Sequence, residues 1–127
     1  MPDYTLQDFV IDTTEQILEI TPVDKYLKSS IFVINKGDKT VTVRIYGSPT
    51  GATIEKFASY KSGYEKYSQS EINLHYILIA QFNVSPNDNH YLDLSDYVFD
   101  YFKITAETGS GETTINYKIQ KAYSMLA

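Results

Sequence analysis

The chain contains no cysteine and no tryptophan, only two histidines, His75 and His90, and a single arginine, Arg44. Without cysteine there is no disulfide scaffold, no thiol nucleophile and no thiolate-ligated zinc or iron–sulfur site. The two histidines show neither H-x-H nor H-x-x-x-H spacing, so each reads as a structural side chain rather than a metal ligand. No apolar stretch approaches the roughly 18 residues a membrane helix needs, and no membrane partner is expected. The start, Met1-Pro2-Asp3-Tyr4, lacks the basic residues and apolar run of a secretory signal. Eleven Lys and Arg stand against sixteen Asp and Glu, a net charge of -5, and the lysines are scattered. A phosphate backbone is gripped by clustered cations, so no nucleic-acid partner is expected either.

What is present is a globular composition. Of the 127 residues, 43% are hydrophobic and 21% charged, enough to bury a core. We expect one domain over residues 1–127, with residues 1–22 forming an N-terminal arm or edge strands. The aromatic content is skewed toward tyrosine, with 12 Tyr against 6 Phe.

The dominant hydrophobic period is two, the period of a strand. In Ile72 to Val84 the even positions are all apolar: Ile72, Leu74, Tyr76, Leu78, Ala80, Phe82 and Val84. This predicts one long strand with that face, Tyr76 included, on a core. Ile77 and Ile79 on the other face require a cover or a bend at mid-strand. Ile31 to Ile34 and Thr40 to Tyr46 flank an Asn35-Lys36-Gly37-Asp38 turn and predict a hairpin, with Val41, Val43 and Ile45 inward and Arg44 and Tyr46 outward. Phe99 to Ala106 and Thr113 to Lys121 flank a Gly109-Ser110-Gly111 turn and predict a second hairpin, with Phe102 and Ile104 facing Ile115 and Ile119. Phe9-Val10-Ile11, Gln16 to Ile20 and Thr53 to Ala58 are further strand candidates. Ala58 to Ser70 reads as a long loop, and Ser95 to Val98 as a single turn capped by Ser95. Seven or eight short strands with frequent turn signals predict an all-β antiparallel β-sandwich, jelly-roll-like.

Few constellations suggest chemistry. Asp88, Asp93, Asp96 and Asp100 fall between Pro86 and Tyr101. Their spacing matches no calcium loop, so they read as turn formers, with Asp93 and Asp96 the only pair worth holding against calcium. There is no G-x-S-x-G and no Gly-rich loop opening a helix. No enzymatic activity and no cofactor is expected. Asn83-Val84-Ser85 fits the glycosylation pattern but is followed by Pro86 and is set aside.

The tyrosines carry the functional reading. Tyrosine offers apolar area with a polar tip at low entropic cost, which suits interfaces. Tyr60, Tyr64 and Tyr67 crowd one polar segment, while Tyr46 and Tyr101 fall on outward positions. These five are the candidate interface residues.

Two stretches resemble small phage and prophage-associated β-sandwich virion proteins: Ser30 to Gly37 with Val41 to Gly51, an apolar strand, Asn-x-Gly, alternating strand and S-P-x-G; and Leu92 to Ile104, a short turn, aromatic residue and core strand. The Tyr-rich segment from Ala58 to Ser70 departs from that pattern, and no binding residue is carried over. The resemblance implies a non-enzymatic virion component of capsid decoration, head-fibre or tail-associated type, assembled in the host cytoplasm. Its partners would be copies of itself, a major capsid protein or another virion protein. The alternative on the same fold class is a carbohydrate-binding module with tyrosine platforms.

Overall fold

The computed structural model describes residues 6–23, 28–49 and 73–122. The strands among them are β1 (Phe9–Ile11), β2 (Gln16–Pro22), β3 (Lys28–Asn35), β4 (Val41–Ser48), β5 (Ile77–Val84), β6 (Asp88–Asp93), β7 (Tyr101–Thr108) and β8 (Thr113–Ala122). They form two four-stranded antiparallel sheets, ordered β1-β8-β3-β6 and β2-β7-β4-β5. The described residues therefore form an eight-stranded jelly roll, an all-β sandwich as the periodicity predicts. The expected strand at Thr53 to Ala58 and loop at Ala58 to Ser70 lie outside the described residues.

Period two produces the core directly. On β4, Val41, Val43 and Ile45 are fully buried, as are Ile31 and Val33 on β3, Phe102, Ile104 and Ala106 on β7, and Ile115 on β8. These positions from the two sheets meet in one apolar cluster.

Both predicted hairpins are overturned. β3 and β4 lie in different sheets, and so do β7 and β8. Among the described strands, β4 and β5 are the only consecutive two that pair with each other. A sheet-crossing turn and a hairpin bury the same alternate residues, so the inward faces were predicted correctly while the pairing was not. Asn35 shows what makes the first turn a crossover. It is fully buried. Its Nδ2 donates to Lys39 O at 2.6 Å and to Val84 O at 3.0 Å. Its Oδ1 accepts from Gly37 N at 3.1 Å and Thr113 Oγ1 at 2.7 Å. One side chain thus joins ends of β3, β5 and β8 to the turn before β4. The β5–β6 turn uses Asn87 at a φ of 57°, a left-handed conformation that Asn tolerates.

Three further expectations need correction. The long strand begins at Ile77 rather than Ile72, and a bulge between Ile45 and Tyr46 in the β4–β5 register breaks its alternation. Leu74 is consequently 85% exposed. Tyr76 is buried, but beneath the outer face of its sheet rather than in the core, and Ile79 packs inward instead. This is the mid-strand bend that Ile77 and Ile79 called for. Residues 88–93, read from sequence as turn formers, are edge strand β6, in which His90 and Leu92 pair with the inward Val33 and Ile31. Its Asp and Asn content disfavours a strand locally, yet charge suits an edge. Lastly, Ser95 caps no helical turn. Asp93 Oδ1 accepts from Ser95 N at 2.9 Å, while Ser95 Oγ sits 3.3 Å from Ser29 N, tying the turn to β3.

Candidate interaction surface

The outer face of the β2-β7-β4-β5 sheet carries the polar alternates of its strands. In the register, Tyr46 opposes Lys103, Arg44 opposes Thr105, and Thr42 opposes Glu107. Arg44 pairs with Glu107 and donates through Nε to Gln81 Oε1 at 3.1 Å. Its other guanidinium contact is Glu15 Oε2 at 3.7 Å. Glu15, from the turn before β2, accepts from the Tyr46 hydroxyl at 2.8 Å and from Thr105 Oγ1 at 2.5 Å. Burial alone would raise the Glu15 carboxyl, but these hydrogen bonds and the charges of Arg44 and Lys103 hold it below the usual range.

Lys103 is the centre of the cluster. It is only 7% exposed. Its amine lies 4.6 Å from the ring centroids of both Tyr46 and Tyr76, a cation between two aromatic faces. It also donates to Asn73 Oδ1 at 3.4 Å. Burial lowers its pKa, and Glu15 offsets part of that. Tyr46 is raised by burial and by its bond to Glu15, so its hydroxyl stays a donor. Glu15, Ile17, Tyr46, Asn73, Tyr76, Lys103 and Thr105 border a recess of about 270 Å³. The charges engage one another across it, an arrangement that braces the outer face.

Beside this braced face lies the β5 edge. Among the described residues β5 pairs on one side only, with β4. Its eight residues, Ile77–Val84, include no charge and no proline. The other three edges are blunted: β1 is three residues long, β2 carries a bulge, Glu19 and Pro22, and β6 carries Asp88 and Asp93. At the start of β5, Leu74, Ile77 and Leu78 are 85%, 54% and 49% exposed. The same end of the sheet carries the β6–β7 connection. There Phe99 closes over Gly47, the register partner of Ile77, and Val98 beside it is exposed.

Two of the five interface candidates lie among the described residues, both on the β2-β7-β4-β5 sheet. Tyr46 points outward, as its alternation predicts, and is half-buried in the Lys103 cluster. Tyr101 opens β7 opposite Ser48 and Pro22, and is half-buried near Tyr76. Tyr60, Tyr64 and Tyr67 lie outside the described residues. Asp93 lies on the other sheet, engaged by Ser95, and Asp96 is exposed in the turn after it. Among the described residues, no group of three or more His, Asp or Glu side chains is placed to hold a metal ion. His90 stacks on Phe82 at 4.3 Å, the structural role expected of it. Sequence reasoning missed Lys103 and misplaced Tyr76. The available signal was a lone lysine between inward Phe102 and Ile104, which alternation points outward.

No family model matches the chain, and no curated protein matches it in sequence. Its fold is similar to that in a crystal structure of PirA, at 13% identity, over 93% of this chain and 96% of that one, with a TM-score of 0.58. A structure of Triatoma virus aligns with 96% of this chain and 67% of the viral chain at 9% identity, with a TM-score of 0.41. No helix among the described residues is long and apolar enough to cross a membrane. The likeness to PirA extends to the fold: an all-β sandwich of two antiparallel sheets.

Proposed function

We propose that the protein is a non-enzymatic structural component that assembles with copies of itself or docks on a larger particle. The observation that carries this reading is the β5 edge: eight residues without charge or proline, paired on one side only among the described residues, with Leu74 before it and Ile77 and Leu78 at its start exposed. A strand laid along that edge satisfies the backbone groups that no described strand pairs and covers the adjacent apolar side chains. The Lys103 cluster holds the neighbouring outer face rigid, which lowers the ordering cost of association. The net charge of -5 keeps free subunits apart until they engage.

The particle we name is a virion, with the protein as a decoration, head-fibre or tail-associated component. The support is the resemblance of the Ser30 to Gly51 and Leu92 to Ile104 stretches to small phage proteins. Light scattering on the eluting protein over a concentration series tests the assembly reading, and co-sedimentation with intact virions tests docking. We expect a mass that rises with concentration, or a fraction that pellets with particles. A mass held at 14.5 kDa throughout, with nothing pelleting, overturns the proposal.

A further inference from the structure

The opposite sheet presents a different surface. Its register lays outward side chains in rows across β8, β3 and β6: Gln120, Ser30 and Asp93 in one, and Lys118, Phe32 and Tyr91 in the next. Ser30 is short and flanked by two longer side chains, with strands about 4.8 Å apart. The row therefore sinks at its centre. The result is a trough of about 580 Å³ floored by Ser30, which is 8% exposed, and walled by Tyr91, which is 59% exposed.

We propose that this trough binds a saccharide of one or two rings. A sugar ring presents an apolar C–H face and a rim of hydroxyls that both donate and accept. The trough offers the complement of each. Tyr91 supplies an exposed aromatic face. Around it stand an acceptor (Asp93), an amide that does both (Gln120), a hydroxyl that does both (Ser30) and a donor (Lys28). Among the described residues, the side chains of Ser30, Tyr91 and Gln120 make no hydrogen bond to protein. Asp93 is kept ionised by its hydrogen bonds from Ser95, with Lys28 adding to the effect, so it accepts at neutral pH. The lining also carries Lys121, whose amine is engaged by Thr21 Oγ1; Lys28 and Asp93 oppose each other, which suits a neutral polyol better than a strongly charged ligand. The volume falls within the range of small-molecule sites. The site lies on the other sheet from β5, so it stands whether or not the chain assembles through that edge.

The test is a glycan array probed with the labelled full chain, followed by NMR titration of the retained saccharide. Wild type is expected to retain at least one saccharide class, with shifts at residues 30, 91, 93 and 120. Tyr91→Ala and Gln120→Ala, both at exposed positions, are expected to keep the wild-type circular dichroism and lose about tenfold in affinity each. Leu78→Lys on the β5 edge is expected to bind as wild type. A silent array with folded protein overturns the proposal. So does retention that both trough variants leave unchanged, or shifts in the trough produced by inorganic phosphate and by no sugar.

Discussion

Asn35→Ala is expected to be the most damaging single truncation of a polar side chain in this fold. The asparagine is fully buried and makes four hydrogen bonds, to Lys39 O, Val84 O, Gly37 N and Thr113 Oγ1. Two of the partners, Val84 and Thr113, are themselves buried at 1% and 3% exposure. Left without a partner, a buried polar group costs about 1–3 kcal/mol, and the two part-buried bonds add about 0.5–1 kcal/mol each. The expected loss is about 3–5 kcal/mol, a large share of the roughly 5–15 kcal/mol that holds a domain together. In urea, with a slope of about 1–3 kcal/mol per molar, the midpoint falls by about 2 M. Asn35→Asp separates geometry from hydrogen bonding. It keeps the shape and the acceptor for Gly37 and Thr113, but turns an oxygen toward the carbonyls of Lys39 and Val84. Its carboxyl is pushed up by burial, so the folded state takes up a proton the unfolded state does not hold. The deficit is therefore complete only above the raised folded value and shrinks as pH falls through it toward the unfolded value of about 4. A cost below about 1 kcal/mol for Asn35→Ala would refute the reasoning.

Two further predictions concern packing and charge. A Cβ at Gly47 would meet the Phe99 ring at 2.5 Å, so Gly47→Ala should lower stability by about 1–3 kcal/mol, read as a drop in Tm. Gly109→Ala, with nothing within 4 Å, should stay within about 0.5 kcal/mol of wild type; equal effects at the two sites would contradict the packing. The carboxyls of Glu15, Asp8 and Asp93 all sit below their usual range. Their folded values lie below the unfolded ones, so their contribution is complete above the ordinary carboxylate range and is lost as pH falls through the folded values. Thermal scans should therefore show Tm level near neutrality and declining below about pH 4, with a smaller decline in Glu15→Gln. A Tm that rises on acidification would reverse the sign.

Alternation made the inward faces of β3, β4, β7 and β8 legible, because each buries every second residue against one core. It could not distinguish a hairpin from a sheet crossing, since Val41 to Ile45 face inward either way. The determinant is Asn35, whose partners at Val84 and Thr113 are distant in sequence and visible only once the chain is folded. β6 was hidden because it has Asp at both ends and only two inward apolar or aromatic positions, His90 and Leu92. Tyr46 was readable as outward, whereas Tyr76 was misread because the β4–β5 bulge ends the simple alternation near the start of β5. The Lys103 site assembles from β7, β4 and the residues just before β5, plus Glu15, so spacing along the sequence offered only the outward parity of the lysine.

The claim that β5 is the assembly edge is tested most directly by amide hydrogen exchange, comparing dilute monomer with concentrated or particle-bound protein. The account predicts that amides of Ile77–Val84 which exchange in the monomer gain protection on association. It also predicts that a variant carrying Ile77→Lys and Leu78→Lys remains folded, stays monomeric and shows no such gain. Association that leaves exchange along β5 unchanged, with new protection on other strands, would contradict it.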